Sequence, residues 1–245
     1  MQRNGEKRMK IIFFGDSLTE GVPGASYYNI LKEKLPEHNL VNCGKGGDTV
    51  ISLYRRIKKM NISKTYDIAF IWIGTNDVFI NVSNKYPLLK KFLNQPCVQN
   101  IEEFRKYYLN IIETVSANAK KIFTVSPLLI GENTHNKWNE ELRRLCEEIK
   151  DLSSKIKNVE YIDLRKDFIS TLSSKKTSSY ISPGTIIDIV FAWLFNNPER
   201  VEKKSKERGL HLTLDGAHLN YAGAQMTADV FLKHIKANKI LAEFG

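Results

Sequence analysis

The chain has 245 residues, 42% of them hydrophobic, and a formal net charge of +10. This composition excludes a disordered or fibrous chain and is enough to build a sizeable core. The 37 Lys+Arg are interleaved with 27 Asp+Glu along the sequence, so the positive balance reads as solvated helix faces rather than a nucleic-acid surface. Cys43, Cys97 and Cys146 stand at wide spacings with no metal-ligand pattern and read as reduced thiols. The apolar run near the basic N-terminus is too short for a signal peptide, and the longest apolar stretch, TIIDIVFAWLF at 185–195, is too short for a membrane span. A cytoplasmic protein with no membrane span and no nucleic-acid partner is expected.

In chain order, the first apolar run is IIFF at 11–14, broken by Gly15 and Asp16 and followed by Ser17. Further strands are expected at 40–42, 68–73, 122–125 and 159–162. The run at 68–73 is apolar throughout, as in a central parallel strand covered on both faces. Helices are expected between the strands, at 25–35, 48–59, 98–117 and 137–155, with a closing helix at 221–237. Val50, Leu53, Tyr54 and Ile57 share one helical stripe, and Ile101, Phe104, Tyr108, Ile111, Ile112 and Val115 another. The alternation predicts one α/β domain over 1–245 with a doubly wound parallel sheet. Residues 168–211, rich in Ser, Lys and Asn, break the alternation and read as an insertion over one end of the sheet. It contains one helix-like segment at 183–195 and serves either as a lid or as a passive excursion.

In such a sheet, ligands bind beyond the carboxyl ends of the strands. Three loops rich in glycine and small polar residues fall there: Gly15-Asp16-Ser17, NCGKGGDT at 42–49 and GTND at 74–77. A serine hydroxyl needs a base to take its proton, usually a histidine oriented by a carboxylate. Of the five histidines, His218 has an acid three residues earlier, Asp215, in LTLDGAHLNYAG. That spacing also suits a cap before the last helix. Gly46 and Gly47 offer backbone N–H groups for an oxyanion or simply a turn, and Asn76 offers a side-chain amide or a cap. Asp16 is expected to bond loop amides, and His211, which lacks a matching acid, to lie on the surface or a pocket wall. Trp72, Phe79, Trp138 and Trp193 either line a pocket or fill the core.

Taken together, the four blocks resemble the GDSL/SGNH hydrolases. FFGDSLTEG is similar to that family's first block, NCGKGGDT to its second, IGTND to its third and DGAHLN to its last, in the family's order. The resemblance implies a three-layer α/β/α, flavodoxin-like fold with a five-stranded parallel sheet and an inserted helical segment before the last helix. It implies Ser17 as nucleophile, His218 as base, Asp215 as its orienting acid, and an oxyanion hole of the Ser17 and Gly47 amides with the Asn76 side chain. The implied activity is cleavage of carboxylic esters without metal or organic cofactor, on a small-molecule, carbohydrate or lipid ester. Acyl transfer to another acceptor, or binding without turnover, would use the same residues. There is no Gly-x-Ser-x-Gly elbow, which argues against the α/β-hydrolase fold.

Overall fold

The computed structural model describes residues 8–60, 62, 65–82, 90–91, 93–182 and 197–243, with side chains to residue 238. Five strands form one all-parallel sheet: β1 (Lys10–Gly15), β2 (Asn39–Gly44), β3 (Tyr66–Trp72), β4 (Ala119–Val125) and β5 (Val159–Ile162), in the order β2-β1-β3-β4-β5. Nine helices lie among the described residues. They are α1 (Ser17–Glu20), α2 (Tyr27–Lys34), α3 (Val50–Lys59), α4 (Thr75–Phe79), α5 (Ile101–Ser116), α6 (Lys137–Ser154), α7 (Leu164–Leu172), α8 (Pro198–Glu207) and α9 (Tyr221–Glu243). None of these is long and apolar enough to cross a membrane.

The central strands β1 and β3 are apolar over Ile11–Phe14 and Ile68–Trp72 because both faces of the sheet are covered there. Ile11, Phe13, Phe70, Trp72, Phe123 and Val125 point to one side and pack with α2, α7 and α9. Ile12, Phe14, Ala69, Ile71 and Ile122 point to the other and pack with α3, α5 and α6. On the first face Phe231 of α9 is fully buried. Its ring lies 4.6 Å from Phe70, 5.1 Å from Tyr27 and 5.9 Å from Trp72, centroid to centroid.

All five expected strands form, each within three residues of the expected limits. Three of the expected helices start two or three residues late, where polar side chains cap them, while α6 and α9 start where expected. Ser26 caps α2 through Asn29 N–H, Thr49 caps α3 through Ser52 N–H, and Asn100 caps α5 through Glu103 N–H. Four helices were not anticipated, among them α8 at Pro198–Glu207. The single turns α1 and α4 follow β1 and β3 directly. Helix α7 covers the beginning of the stretch read as an insertion, and its Phe168 is fully buried. The expected helix-like segment at 183–195 lies outside the described residues.

The chain order reverses at β1: β2 lies on one side of it and β3 on the other. The crevice beyond Gly15 and Trp72, which are register partners, is therefore the switch point where such sheets bind ligands. Gly44 ends β2 beside it. A Cβ there would meet Glu20 N at 2.1 Å, so only glycine lets α1 lie against β2.

The segment before α9 reaches this edge as a closed loop. Leu214 N–H donates to His218 C=O at 2.7 Å and Asn220 N–H to Leu212 C=O at 3.1 Å. Beneath it lies Glu132, fully buried. Its Oε1 accepts from Leu212 N–H, Thr213 N–H and the Thr213 hydroxyl, each at 2.8 Å, and its Oε2 from His211 N–H at 2.7 Å. Four donors on one buried carboxylate fix the loop to the body of the protein.

Two stability measurements follow. Phe231→Ala is expected to lower unfolding stability by about 3–5 kcal/mol, as a large cavity in a packed core does; urea denaturation reads this. Glu132→Gln turns one acceptor into a donor facing His211 N–H and is expected to lower stability by about 1–3 kcal/mol. An unchanged urea midpoint would show that the loop does not depend on Glu132.

Candidate active site

Ser17 opens the one-turn helix α1 at the end of β1. Asp16 caps that turn, its Oδ1 accepting from Leu18 N–H at 3.0 Å. The cap holds the serine at the carboxyl edge of the sheet. There its Oγ lies 3.0 Å from His218 Nε2, across 201 positions of sequence. His218 Nδ1 lies 2.8 Å from Asp215 Oδ2. The other carboxylate oxygen, Oδ1, accepts from His218 N–H at 2.8 Å and Ala217 N–H at 3.0 Å. One carboxylate oxygen of Asp215 thus shapes the turn and the other meets the ring, and Asp215 does not cap the last helix. The cap of α9 is a different residue, Asn220, whose side chain accepts from Gly223 N–H at 3.0 Å.

The electrostatics follow from these contacts. Burial alone would raise the Asp215 carboxyl, but the imidazole and the backbone N–H donors outweigh it and hold the group at about 2. An ionised carboxylate only accepts, so Nδ1 carries the proton and Nε2 of the neutral ring accepts from the Ser17 hydroxyl. Burial disfavours the His218 imidazolium, but the carboxylate of Asp215, with Asp16 adding to it, outweighs this and raises the pKa above the ordinary imidazole value. The side chains of His218 and Asp215 remain 23% and 13% exposed, so the ring is reachable from outside.

Gly47 has φ +75°, a left-handed conformation that favours glycine. Asn76, on α4 beyond β3, is buried. Its Nδ2 donates to Asp48 C=O at 3.0 Å and to Asp16 Oδ2 at 3.2 Å. Asp16 thus holds both the turn and the Asn76 amide, as a loop-bonding role requires; burial pushes its carboxyl up to about 6. Asp48 is also buried and is neutralised by Arg56, whose guanidinium lies 2.8 Å from Oδ2.

His211 is tied elsewhere: its Nε2 lies 3.0 Å from Lys176 C=O. Of the aromatic candidates, Trp72 is core, its Nε1 donating to Ser126 C=O at 2.9 Å. Phe79 is buried, Trp138 is half-buried beneath Lys137, and Trp193 lies outside the described residues. Three buried side chains around the site, Lys90, Gln95 and Glu132, carry no mark in the sequence. Their partners lie elsewhere in the fold, and only the fold reveals them.

In three dimensions the chain resembles several solved esterases and hydrolases. The acetyl xylan esterase AlAXEase superposes with a TM-score of 0.65 at 24% identity, covering 93% of this chain and 100% of that one. LAE5, described as an alpha/beta hydrolase enzyme from the metagenome of Lake Arreo, Spain, gives 0.65 at 20% identity over 94% of each chain. Axe2, an acetylxylan esterase from Geobacillus stearothermophilus, gives 0.64 at 20% identity over 93% of this chain and 94% of that one. What these pairs share is the fold. No curated protein matches the chain in sequence. Residues 13–226, however, match the GDSL-like Lipase/Acylhydrolase family, from the strand before Ser17 to the helix after His218. The chain belongs to this family of acylhydrolases and is a hydrolase acting on esters.

Proposed function

We propose that the protein is a serine esterase that removes short acyl groups, acetyl foremost, from carbohydrate esters. The observation that carries the serine mechanism is the unbroken hydrogen-bonded line from Ser17 Oγ through His218 to Asp215, at 3.0 and 2.8 Å. The acetyl and carbohydrate preference rests on AlAXEase and Axe2, both acetyl xylan esterases. Solved variants of Axe2 described as catalytic mutants replace one serine, one aspartate and one histidine by alanine. In Axe2 the aspartate and histidine stand three positions apart, as Asp215 and His218 do here.

In this mechanism Ser17 Oγ attacks the ester carbonyl while His218 Nε2 takes its proton. The tetrahedral oxyanion is held by the Ser17 and Gly47 N–H groups and the Asn76 amide. Asp215 keeps the proton on Nδ1 and stabilises the imidazolium. His218 then protonates the departing alcohol, leaving Ser17 acylated. A water molecule, deprotonated by the same imidazole, attacks the acyl group, and collapse of the second intermediate releases the acid and restores Ser17.

A panel of p-nitrophenyl esters from acetyl to palmitoyl, together with acetylated xylo-oligosaccharide, tests the proposal against Ser17→Ala. Acetyl is expected to be the best acyl group, acetate to be released from the oligosaccharide, and Ser17→Ala to leave no turnover above background. A preference for long chains, or a Ser17→Ala variant that still turns over, would overturn it. The pH profile gives a second test. The base works as neutral imidazole, so activity rises with pH through the folded-state pKa of His218. The acid limb of kcat/KM is expected above about 6.5, the unperturbed imidazole value. Asp215→Asn removes the charge that raises that pKa, so the limb should move to lower pH while kcat falls by roughly 10³–10⁴. A limb that stays in place would remove Asp215 from contact with the base.

A further inference from the structure

Hydrogen-bond partners can be followed through every backbone group of the loop from Lys45 to Thr49. Lys45 N–H donates to Gly15 C=O at 3.1 Å, and Lys45 C=O accepts from Asp48 N–H at 3.1 Å. Gly46 N–H donates to Glu20 Oε2 at 2.7 Å. Gly46 C=O accepts from Gln95 Nε2 at 2.8 Å, and Gly47 C=O from Lys90 Nζ. Asp48 C=O accepts from Asn76, Thr49 N–H donates to Ser52 Oγ, and Thr49 C=O accepts from Leu53 N–H. Among the described residues, only the Gly47 N–H is left without an acceptor. A lone unpaired donor in an otherwise satisfied loop calls for an explanation.

The direction of that N–H is set by its neighbour. In a trans peptide the C=O of one residue and the N–H of the next lie in one plane and point opposite ways. Gln95 holds the Gly46 C=O, so the Gly47 N–H points away from Gln95. The loop lies between two walls. A Cβ added to Gly46 would stand 4.0 Å from Ser17 Cβ, and one added to Gly47 would stand 2.6 Å from Gln95 Oε1 and 3.0 Å from Lys90 Nζ.

Gln95 is itself held in place. It is 4% exposed, and its own N–H donates to Lys90 C=O at 2.9 Å. The next residue, Pro96, accepts at its C=O from the hydroxyl of Thr49, the cap of α3. Lys90 is buried near Asp16, Asp48 and Asp77, and burial pulls its ammonium down to about 8 against the pull of these carboxyl groups.

We propose that Gln95 is a positioning residue for the oxyanion hole: by gripping the Gly46 carbonyl it locks the Gly46–Gly47 peptide with the Gly47 N–H turned toward the reacting carbonyl. Gln95 touches no substrate and acts through Gly47. The proposal rests on the reading of Ser17 and Gly47 given above. Without the grip, the peptide between two glycines is free to rotate, and the oxyanion loses a fixed donor when the tetrahedral intermediate forms.

The test compares wild type with Gln95→Met, which keeps the length and removes the donor, and with Gln95→Glu, which keeps the shape and sets a carboxylate against the Gly46 carbonyl. The substrate is p-nitrophenyl acetate, active sites are counted with a fluorophosphonate, and a trifluoromethyl ketone serves as the oxyanion mimic. Per active site, kcat is expected to fall about tenfold in Gln95→Met and further in Gln95→Glu, less than the roughly 10²–10³ for outright loss of a donor. KM should stay within twofold, and the ketone should bind weaker by the same factor as kcat falls. If Gln95→Met does not fold, Gln95→Glu carries the comparison. A purely structural role would lower the melting temperature and the count of active sites but leave kcat per site and ketone affinity unchanged; that result overturns the proposal, as does a change confined to KM. The two readings separate cleanly. Turnover surviving in Ser17→Ala overturns both, whereas a dead Ser17→Ala with an unaffected Gln95→Met overturns only the role of Gln95.

Discussion

The geometry of the site depends on how the two oxygens of Asp215 divide their work. One oxygen is committed to the backbone N–H groups of Ala217 and His218, and that bond makes the turn. The other is committed to the ring of His218. The same side chain therefore sets where the imidazole stands and which way it points. Gly216, at φ +88°, supplies the reversal between acid and base. This unit touches Ser17 only because the loop that carries it is fastened at its base by the four donors on Glu132. A second fastening comes from Ser205, whose hydroxyl donates to Thr213 C=O at 2.8 Å. A carboxylate whose partners are all fixed needs little rearrangement when charge develops on the ring, and preorganisation of this kind is the largest single source of rate in many enzymes.

Beneath the serine, the fold tolerates a cluster of buried ionisable groups that a plain core would not contain. Asp16, Asp48, Asp77 and Lys90 are each almost fully buried. Desolvation pushes Asp16 to about 6 and Asp77 to about 7, and draws Lys90 to about 8. Buried ion pairs are seldom a net gain over packed hydrophobes, so stability alone does not account for the cluster. Its members instead hold loops. Asp48 bonds Ser52 and Arg56, Asp77 accepts from Val50 N–H at 3.0 Å, and Lys90 takes the Gly47 carbonyl. Three chain segments that leave the sheet at different strands are tied to one another by these side chains.

Much of this was legible in the sequence, for identifiable reasons. A strand buried on both faces must be apolar at every position, so IIFF and IAFIWI announce themselves. The glycines and small polar residues after three strands stand out because nothing else explains their place at strand ends. Asp215 and His218 are visible because one turn joins them. What was not legible depends on partners distant in sequence. Glu132 looks like any loop acid until four donors from residues 211–213 converge on it. Gln95 and Lys90 look like surface polar residues until the strap that carries them lies over the glycine loop. Leu164–Leu172 escaped notice because its buried face, Leu164, Phe168 and Leu172, is only three residues wide and runs into a polar stretch. The late helix starts have the same origin: Ser26, Thr49 and Asn100 are ordinary polar residues until their side chains are seen accepting from the first turn.

The resting arrangement of Asn76 places a limit on how the proposed oxyanion hole would work. The amide Nδ2 has two N–H groups, and both already have acceptors, Asp48 C=O at 3.0 Å and Asp16 Oδ2 at 3.2 Å. An oxyanion can gain from this amide only by taking over one of these bonds. The contact with Asp16 is the longer of the two. In the proposed mechanism the contact with the Asp48 carbonyl would keep the amide in place while the other N–H turned to the substrate oxygen. What Asn76 contributes is accordingly a difference between two hydrogen bonds rather than the whole of one. The Gly47 N–H, with no acceptor to surrender among the described residues, has no such exchange to make. If the proposed oxyanion hole holds, one donor already engaged and one left open would put its main demand on the backbone, and the orientation of the Gly46–Gly47 peptide would then matter more than any single contact of the asparagine.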